Sequence, residues 1–336
     1  MSSVPTSSDI ARDPTWLAQA LDPNADVVRL IAMTLTDYRD ASFLDDRMLQ
    51  RPVDARILPW RNVHSAMSGE RRNDARWIFH IGHVGSTLIA RLLGELPSVL
   101  SIREPRLLRD LVAIDAEARR TYVPTVHKLM ARTFGPDQAA LVKATSFVSE
   151  VAPELIGMNG KALFVFASPR NYIAGILAGE NSVQELQMLA ANRAQRLAGR
   201  VAPLPVPRHL ADLAAIAWAC EITALEAAAD SVTDGHIAWL EFDAFLDDVG
   251  RGMQRIVEHL ALIADEPAIA ALADSPLLGR YSKAVEYDYS PTLRRALIDE
   301  ATDAAGASID EAIGMLAELA RSSPLLARGL GRSGGN

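Results

Sequence analysis

Residues 79–97, "FHIGHVGSTLIARLLGELP", combine two glycines with hydroxyl side chains at the start of an amphipathic run. Gly82 and Gly85 allow backbone dihedrals that other residues avoid, so the chain can approach a ligand closely. The first N–H groups of the helix predicted from Ser86 would point at this turn, and the helix dipole adds partial positive charge. Ser86 and Thr87 add hydroxyl donors. The stretch therefore predicts an anion site, with a plain strand-to-helix turn capped by Ser86 as the alternative.

The anion in this turn is not expected to be a nucleoside triphosphate with magnesium. Such sites carry the signature G-x-x-x-x-G-K-S/T, in which the lysine reaches the phosphates. Here the spacing from Gly82 to Gly85 is two residues shorter, and Ser86 stands where the lysine belongs. Tight binding of ATP with magnesium is therefore disfavoured.

The turn sits in a pattern of short apolar runs that alternate with helical segments. The predicted strands are "WIFHI" (77–81), "VLSI" (99–102), "ALVKA" (140–144), "ALFVFA" (162–167) and "IAWLEF" (237–242). Alternation of this kind predicts an α/β fold, a mostly parallel sheet of about five strands flanked by helices. Ligands bind beyond the carboxyl ends of such strands, which is where the glycine turn lies.

The chain outside this pattern looks helical. Residues 1–75 contain "DPTWLAQAL" and "ADVVRLIAMTL", which predict an N-terminal helical lobe, and residues 76–264 form the predicted α/β core. Residues 265–336 predict a C-terminal helical extension packed on that core. The chain has 336 residues and 49% hydrophobic content, ample for a large core.

Composition and charge limit the classes of binding partner and the cellular compartment that we expect for the protein. The net charge is −8 with no basic cluster, which argues against nucleic acid or an anionic membrane as partner. No run reaches the ~20 apolar residues of a spanning helix, and the first residues lack a signal-peptide pattern. We expect a cytoplasmic protein. Cys220 is the single cysteine and lies in a helical pattern, so we interpret it as a buried thiol. No spaced ligand set predicts a metal.

Polar residues with possible chemistry follow three of the predicted strands. Glu104 ends the second strand region; in a partly dry cleft its carboxylate suits the role of a general base. A solvated acid at a helix start, before Pro105, is the open alternative. Lys143 lies inside the apolar run "ALVKATSF", which favours a contact with ligand over a surface position. Arg170 opens a helix after the fourth strand, and its planar fork suits a phosphate; an exposed cation near a helix start, where the helix dipole disfavours it, is the open alternative.

The glycine turn resembles the 5′-phosphosulfate loop of the sulfotransferase family, whose members take a sulfuryl group from 3′-phosphoadenosine 5′-phosphosulfate on a P-loop-type fold. The loop of that family commonly reads P-K-S-G-T-T. His83 falls on its lysine, Val84 on its serine, Gly85 on its glycine, and Ser86 and Thr87 on its threonines. The chain thus resembles a divergent, bacterial-like member of the family.

Two further stretches carry the resemblance. In "SPRNYIAGILAGENS", Arg170 matches the family's arginine for the 3′-phosphate, whereas Ala178 stands at its serine position and Ser182, one helical turn on, is the candidate substitute. In "LSIREPRLLRDL", the resemblance to the Arg-x-x-Glu region of tyrosylprotein-type and bacterial sulfotransferases implies that Glu104 is the base. Lys143 stands where the family often has a lysine. The resemblance covers residues 77–262.

The resemblance implies sulfuryl transfer from 3′-phosphoadenosine 5′-phosphosulfate to a hydroxyl or amine of a small molecule or peptide, leaving 3′,5′-adenosine bisphosphate. His83 would donate a hydrogen bond to the bridging oxygen in place of lysine. The resemblance is also compatible with a homodimer. Two alternatives stay open. One is a P-loop kinase or another nucleotide-dependent phosphotransferase. The other is a nucleotide-binding protein that keeps the fold without catalysis.

Overall fold

The computed structural model describes residues 5–158, 160–280 and 290–333. Its N-terminal lobe is built on a sheet. Strands β1 (Trp16–Asp22), β2 (Val27–Ala32) and β3 (Ala55–Pro59) pair antiparallel in the order β1-β2-β3. Three short helices, α1 (Ser7–Arg12), α2 (Leu35–Asp40) and α3 (Trp60–Ala66), belong to the same lobe.

The prediction of a helical lobe over residues 1–75 was therefore wrong. The strand β1 is buried along nearly its whole length, so it shows no alternation of apolar and polar residues, and its alanines and leucines favour helix locally. The decisive signal was the turn that follows. The Asp22 carboxylate accepts hydrogen bonds from the N–H groups of Asn24 and Ala25 at 3.0 and 3.2 Å, which makes a tight Asx turn between β1 and β2.

The predicted α/β core is confirmed. Strands β4 (Arg76–His80), β5 (Val99–Arg103), β6 (Ala139–Lys143), β7 (Lys161–Phe166) and β8 (Ile237–Glu241) form a parallel sheet in the order β5-β6-β4-β7-β8. Each predicted apolar run became one of these strands. The runs are continuous because the strands are buried on both faces, which is the pattern expected of a covered parallel sheet.

Helices connect and cover the strands. They are α4 (Ser86–Leu93), α5 (Arg106–Val112), α6 (Ala116–Ala131), α7 (Ala152–Ile156), α8 (Pro169–Leu177), α9 (Glu180–Ala198), α10 (Leu210–Ser231), α11 (Phe242–Asp247) and α12 (Val249–His259). The connection from β4 runs towards β5, and the later connections run the opposite way along the sheet. Because such crossovers are right-handed, α4 covers one face and the helices between β5 and β8 cover the other.

The C-terminal segment continues as α13 (Glu266–Ala273), α14 (Pro291–Ala320) and α15 (Pro324–Ser333). The long helix α14 packs along α8 and α10, and α15 packs on α10. These contacts bring a distant part of the chain beside the carboxyl ends of the central strands. Within the described ranges, none of the helices has the length and apolar character needed to cross a bilayer.

Candidate active site

A cavity of about 1480 Å³ opens at the carboxyl ends of the central strands. Its walls include the turn 82–87, Glu104, Lys143 and Ser182 together with parts of α9 and α14. Most of the residues predicted from the sequence thus share one space. Its position, beside the strand where the direction of the connections reverses, is the one that open parallel sheets use for ligands.

The turn after β4 needs its glycines. Gly82, His83 and Gly85 all have a positive φ, of 84°, 53° and 63°, a region that residues with a Cβ seldom adopt. A Cβ on Gly85 would lie 1.9 Å from Cζ of Phe242, so the aromatic ring occupies the space of a side chain there. The turn is therefore held in one shape by its own backbone and by Phe242.

The start of α4 fits an anionic group. Ser86 and Thr87 are buried, and both line the cavity. The hydroxyl of Thr87 has no hydrogen-bond partner among the described residues. A buried hydroxyl without a partner costs free energy, on the order of 1–3 kcal/mol. An oxygen bound at the helix start, where N–H groups also lack intrahelical partners, would remove that cost.

The amide of Gly82 does not share in this donor set. Its N–H donates to Nδ1 of His80 at 2.9 Å, and Nε2 of His80 lies 3.0 Å from the carbonyl oxygen of Ala144. Because Nδ1 accepts, Nε2 carries the proton and donates. His80 thereby ties the turn to the end of β6. Gly82 gives the turn its shape through its positive φ. The side chain of Val84 is buried, so only its backbone is available to a ligand.

Glu104 and Lys143 form a buried ion pair at the ends of β5 and β6. The ammonium group binds Oε1 of Glu104, while Oε2 lies 3.4 Å from Nη2 of Arg47 and 3.4 Å from Oγ1 of Thr145. The N-cap position of α5 is Pro105, and the first turn of that helix holds no acid. Glu104 thus faces the cavity and does not serve as a solvated helix-start acid.

Backbone strain marks His83 and Glu104. Among the described non-glycine residues, a positive φ occurs at Asp26, His83, Glu104 and Ala261. Such conformations cost about 1–3 kcal/mol and persist where the surroundings fix them, often at functional sites. His83 and Glu104, both predicted to take part in chemistry, are held in strained conformations on opposite sides of β6.

Helix α9 brings Ser182 to the turn. Its hydroxyl oxygen lies 3.4 Å from Nδ1 of His83, and Nε2 of His83 lies 3.5 Å from a carboxylate oxygen of Glu185. Ser182 was predicted as a substitute partner for a 3′-phosphate. Its position beside the histidine side chain is a contact that the sequence did not predict.

Arg170 lies apart from the predicted site residues that line the cavity. It lies in the first turn of α8, half exposed, and forms an ion pair with Asp310 of α14; it does not line the cavity. The cause is α14, which packs along α8 and supplies an acid. Arg294 is a cation that does line the cavity; its Nε donates to Asp243 at 2.7 Å, and its guanidinium lies over the Phe242 ring.

Several arginines that line the cavity carried no motif in the sequence, and Arg47, Arg193 and Arg294 are examples. Arg47 comes from the N-terminal lobe, Arg193 from α9 and Arg294 from α14. Each reaches the cavity because a remote element packs there, so only the three-dimensional arrangement identifies them.

By contrast, Arg103 points away from the cavity: it is buried and donates to carbonyl groups of residues 38–41. Burial lowers the pKa of Arg103 to about 9.

Within the described residues, no group of three or more His, Cys, Asp or Glu side chains has the arrangement of a metal site. No protein-family model and no curated protein matches the sequence.

Several solved structures resemble the chain, and they are sulfotransferases. The sulfotransferase domain from the curacin biosynthetic pathway has a TM-score of 0.42 and 13% identity, over 68% of this chain and 89% of that one. The sulfotransferase domain of the Synechococcus PCC 7002 olefin synthase has a TM-score of 0.41 and 14% identity, over 69% and 89%. A mouse sulfotransferase complexed with PAP has a TM-score of 0.40 and 12% identity, over 80% and 92%. Such TM-scores describe a partial likeness of the backbone, and the activities belong to those proteins.

Proposed function

We propose that the protein is a sulfotransferase that passes a sulfuryl group from 3′-phosphoadenosine 5′-phosphosulfate to a hydroxyl or amine of a small-molecule or peptide acceptor. The observation that carries this proposal is the buried, unpartnered hydroxyl of Thr87 at the start of α4, in a cavity that also contains Glu104. An anion site without a loop lysine, facing a carboxylate, suits this chemistry better than that of a triphosphate with magnesium.

The residues that would hold the donor are the first residues of α4 and the turn before them. The N–H groups at the helix start and the hydroxyls of Ser86 and Thr87 would bind the phosphosulfate. Arg294 lines the cavity on the α8 side and would bind the second phosphate of the donor, sharing its guanidinium between that phosphate and Asp243. When bound, the donor supplies the sulfuryl group and leaves as 3′,5′-adenosine bisphosphate.

His83 would act where the family has lysine. The Nδ1–H of its ring, in place of its 3.4 Å contact with the Ser182 hydroxyl, would donate to the oxygen on which negative charge develops as the donor is cleaved. Because histidine changes charge near neutral pH, the rate should depend on pH in a range where a lysine would stay charged. The backbone of His83 has a strained, positive φ, which sets the position of its Cβ atom within the turn.

Glu104 would take the proton from the acceptor. Its Oε1 is bound by Lys143, so Oε2, on the side of Arg47 and Thr145, is the oxygen that we assign to the acceptor. A positioned base of this kind contributes about 10²–10⁴-fold in rate. Lys143 holds the carboxylate in a single orientation, which keeps this oxygen towards the cavity.

Turnover with a radiolabelled donor and a panel of hydroxyl and amine acceptors tests these roles. Glu104→Gln and His83→Ala should each lower kcat by about 10²-fold or more. Glu117→Gln, an exposed residue on α6, removes the same charge and should retain wild-type turnover. Wild-type turnover by both site variants would contradict the assignment.

A further inference from the structure

The candidate phosphate turn carries no lysine, yet it keeps a basic side chain at its centre. His83 lies between Gly82 and Gly85 with a φ of 53°, a conformation in which a third glycine would be less strained. Its side chain is largely buried, with 18% exposed. Holding a histidine at a costly position indicates that its ring has a function in the turn.

Both ring nitrogens of His83 face α9. Nδ1 lies 3.4 Å from the hydroxyl oxygen of Ser182, and Nε2 lies 3.5 Å from Oε1 of Glu185. Ser182 and Glu185 are three residues apart on the helix, so they share one face. The ring is thus held between two side chains that a single helix presents together.

The chemistry of these contacts favours the charged ring. A carboxylate only accepts hydrogen bonds, so Nε2 must carry a proton to satisfy Glu185. A hydroxyl both donates and accepts, so Ser182 tolerates Nδ1 in either state. The negative charge of Glu185 then makes the doubly protonated ring, with one N–H for each partner, the better-stabilised form.

Other charges surround this pair. Arg193 of α9 lies 3.6 Å from Glu185 and is itself close to the buried Glu221, at 3.8 Å. Of the remaining charged groups that line the cavity, Arg196 also belongs to α9, and the others belong to other elements: Asp45, Asp46, Arg47, Glu104, Arg109, Lys143, Glu150, Arg280 and Arg294. Arg193 competes for Glu185 and also fixes its position. Glu185 is in ionic contact with the His83 ring, at 3.5 Å from Nε2.

We propose that Glu185 is a positioning residue: it orients the His83 ring and favours its protonated form, so that the turn gains the positive charge that its sequence lacks. The consequence for a sulfuryl donor rests on the proposed function, whereas the link between Glu185 and His83 does not. Glu185 would act through the histidine and not on the ligand.

Titration of the His83 ring by NMR tests the link directly. Glu185→Gln keeps an acceptor oxygen and removes the charge, so the titration midpoint of His83 should fall by roughly 0.5 pH unit, as expected for a partly exposed ion pair. Glu180→Gln, an exposed acid on the same helix, should leave the midpoint unchanged. His83→Gln assigns the resonance. If Glu185→Gln does not fold, Glu185→Ala gives the same readout.

An unchanged midpoint in the Glu185 variant would overturn the proposal. Affinity for 3′,5′-adenosine bisphosphate, measured by calorimetry against pH, gives the second readout. Near pH 8, Glu185→Gln should bind about threefold more weakly than wild type, which corresponds to the shifted midpoint. His83→Lys should bind with little pH dependence, and adding Glu185→Gln to it should not bring the dependence back.

The two proposals fail in different ways. If the midpoint falls in Glu185→Gln but wild type binds no bisphosphate at any pH, the role of Glu185 stands and the proposed function fails. If wild type binds the bisphosphate and the midpoint does not move, the proposed function stands and the role of Glu185 fails.

Discussion

At the scale of single residues, the conformation of the turn could be predicted from the local sequence. The partners of individual side chains could not. Gly82, Gly85 and Thr87 could be assigned because a glycine turn followed by a helix start defines its own geometry. The orientation of Arg170 depends on Asp310, which lies 140 residues further along the chain. No pattern around Arg170 contains that information, so the ion pair could not be predicted from the sequence.

Gly85 is the most demanding position in the turn. Gly85→Ala would place a Cβ 1.9 Å from the Phe242 ring at a positive φ, so we expect a loss of about 2 kcal/mol or more in the free energy of unfolding. Urea denaturation measures it. Gly69→Ala, where a Cβ has no atom within 4 Å, is the matched control. Equal stability of the two variants would show that Phe242 does not fill this space.

Cys220 should be chemically inert in the native protein. Its side chain is fully buried on α10, and desolvation, reinforced by the neighbouring Glu221, raises the pKa of the thiol to about 12. Near pH 8 only about one thiol in 10⁴ is then ionised, and the thiolate is the reactive form. Iodoacetamide should label the protein in urea and leave the folded protein unlabelled over hours. Rapid stoichiometric labelling without urea would contradict this burial.

At the scale of elements, the strands of the core were predictable because each is a continuous apolar run. The N-terminal strands were not, because β1 has a helical composition and its identity depends on an Asx turn at Asp22. The parts of the cavity differ in the same way: some could be predicted from the sequence and others could not. Its floor, made of the turn and the ends of β5 and β6, follows from the sequence pattern. Its walls come from α9 and α14, whose packing does not.

Arg103 joins two of these elements. From the end of β5 it donates to carbonyl groups of Tyr38, Arg39 and Ala41, at 3.1 Å to Arg39 and 3.0 Å to Ala41. Arg103→Met would leave buried carbonyls without donors, so we expect a loss of about 3 kcal/mol in the free energy of unfolding. Chemical denaturation tests this against Arg71→Met on the surface. A loss no larger than that of the control would contradict the joining role.

At the scale of the whole molecule, the N-terminal lobe and the core are joined by buried contacts. Arg132 of the core is buried and donates to carbonyl oxygens of Ile10, Asp13 and Trp16 at 2.5, 2.9 and 2.9 Å. Arg47 of the lobe reaches Glu104 in the cavity. A division at residue 75, which the sequence predicted, therefore separates segments that share a core and a site.

This arrangement predicts one cooperative unfolding transition. Differential scanning calorimetry should give a single heat-capacity peak, and a chain beginning at residue 76 should not fold, because the buried Arg132 would lose its carbonyl partners. The full-length chain in the same buffer is the control. Two separated peaks, or a folded truncated chain, would show that lobe and core are independent domains.

Ligand-induced stabilisation tests the central claim, that the start of α4 holds the donor of a sulfuryl transfer. Melting curves are recorded for wild type and Thr87→Val with 3′,5′-adenosine bisphosphate and, separately, with ATP and magnesium. At a hundred times its Kd, a ligand stabilises the native state by about 2.7 kcal/mol. We predict a rise in Tm with the bisphosphate alone, much reduced in Thr87→Val. A rise with ATP and magnesium alone, or no rise with either ligand, would contradict the claim.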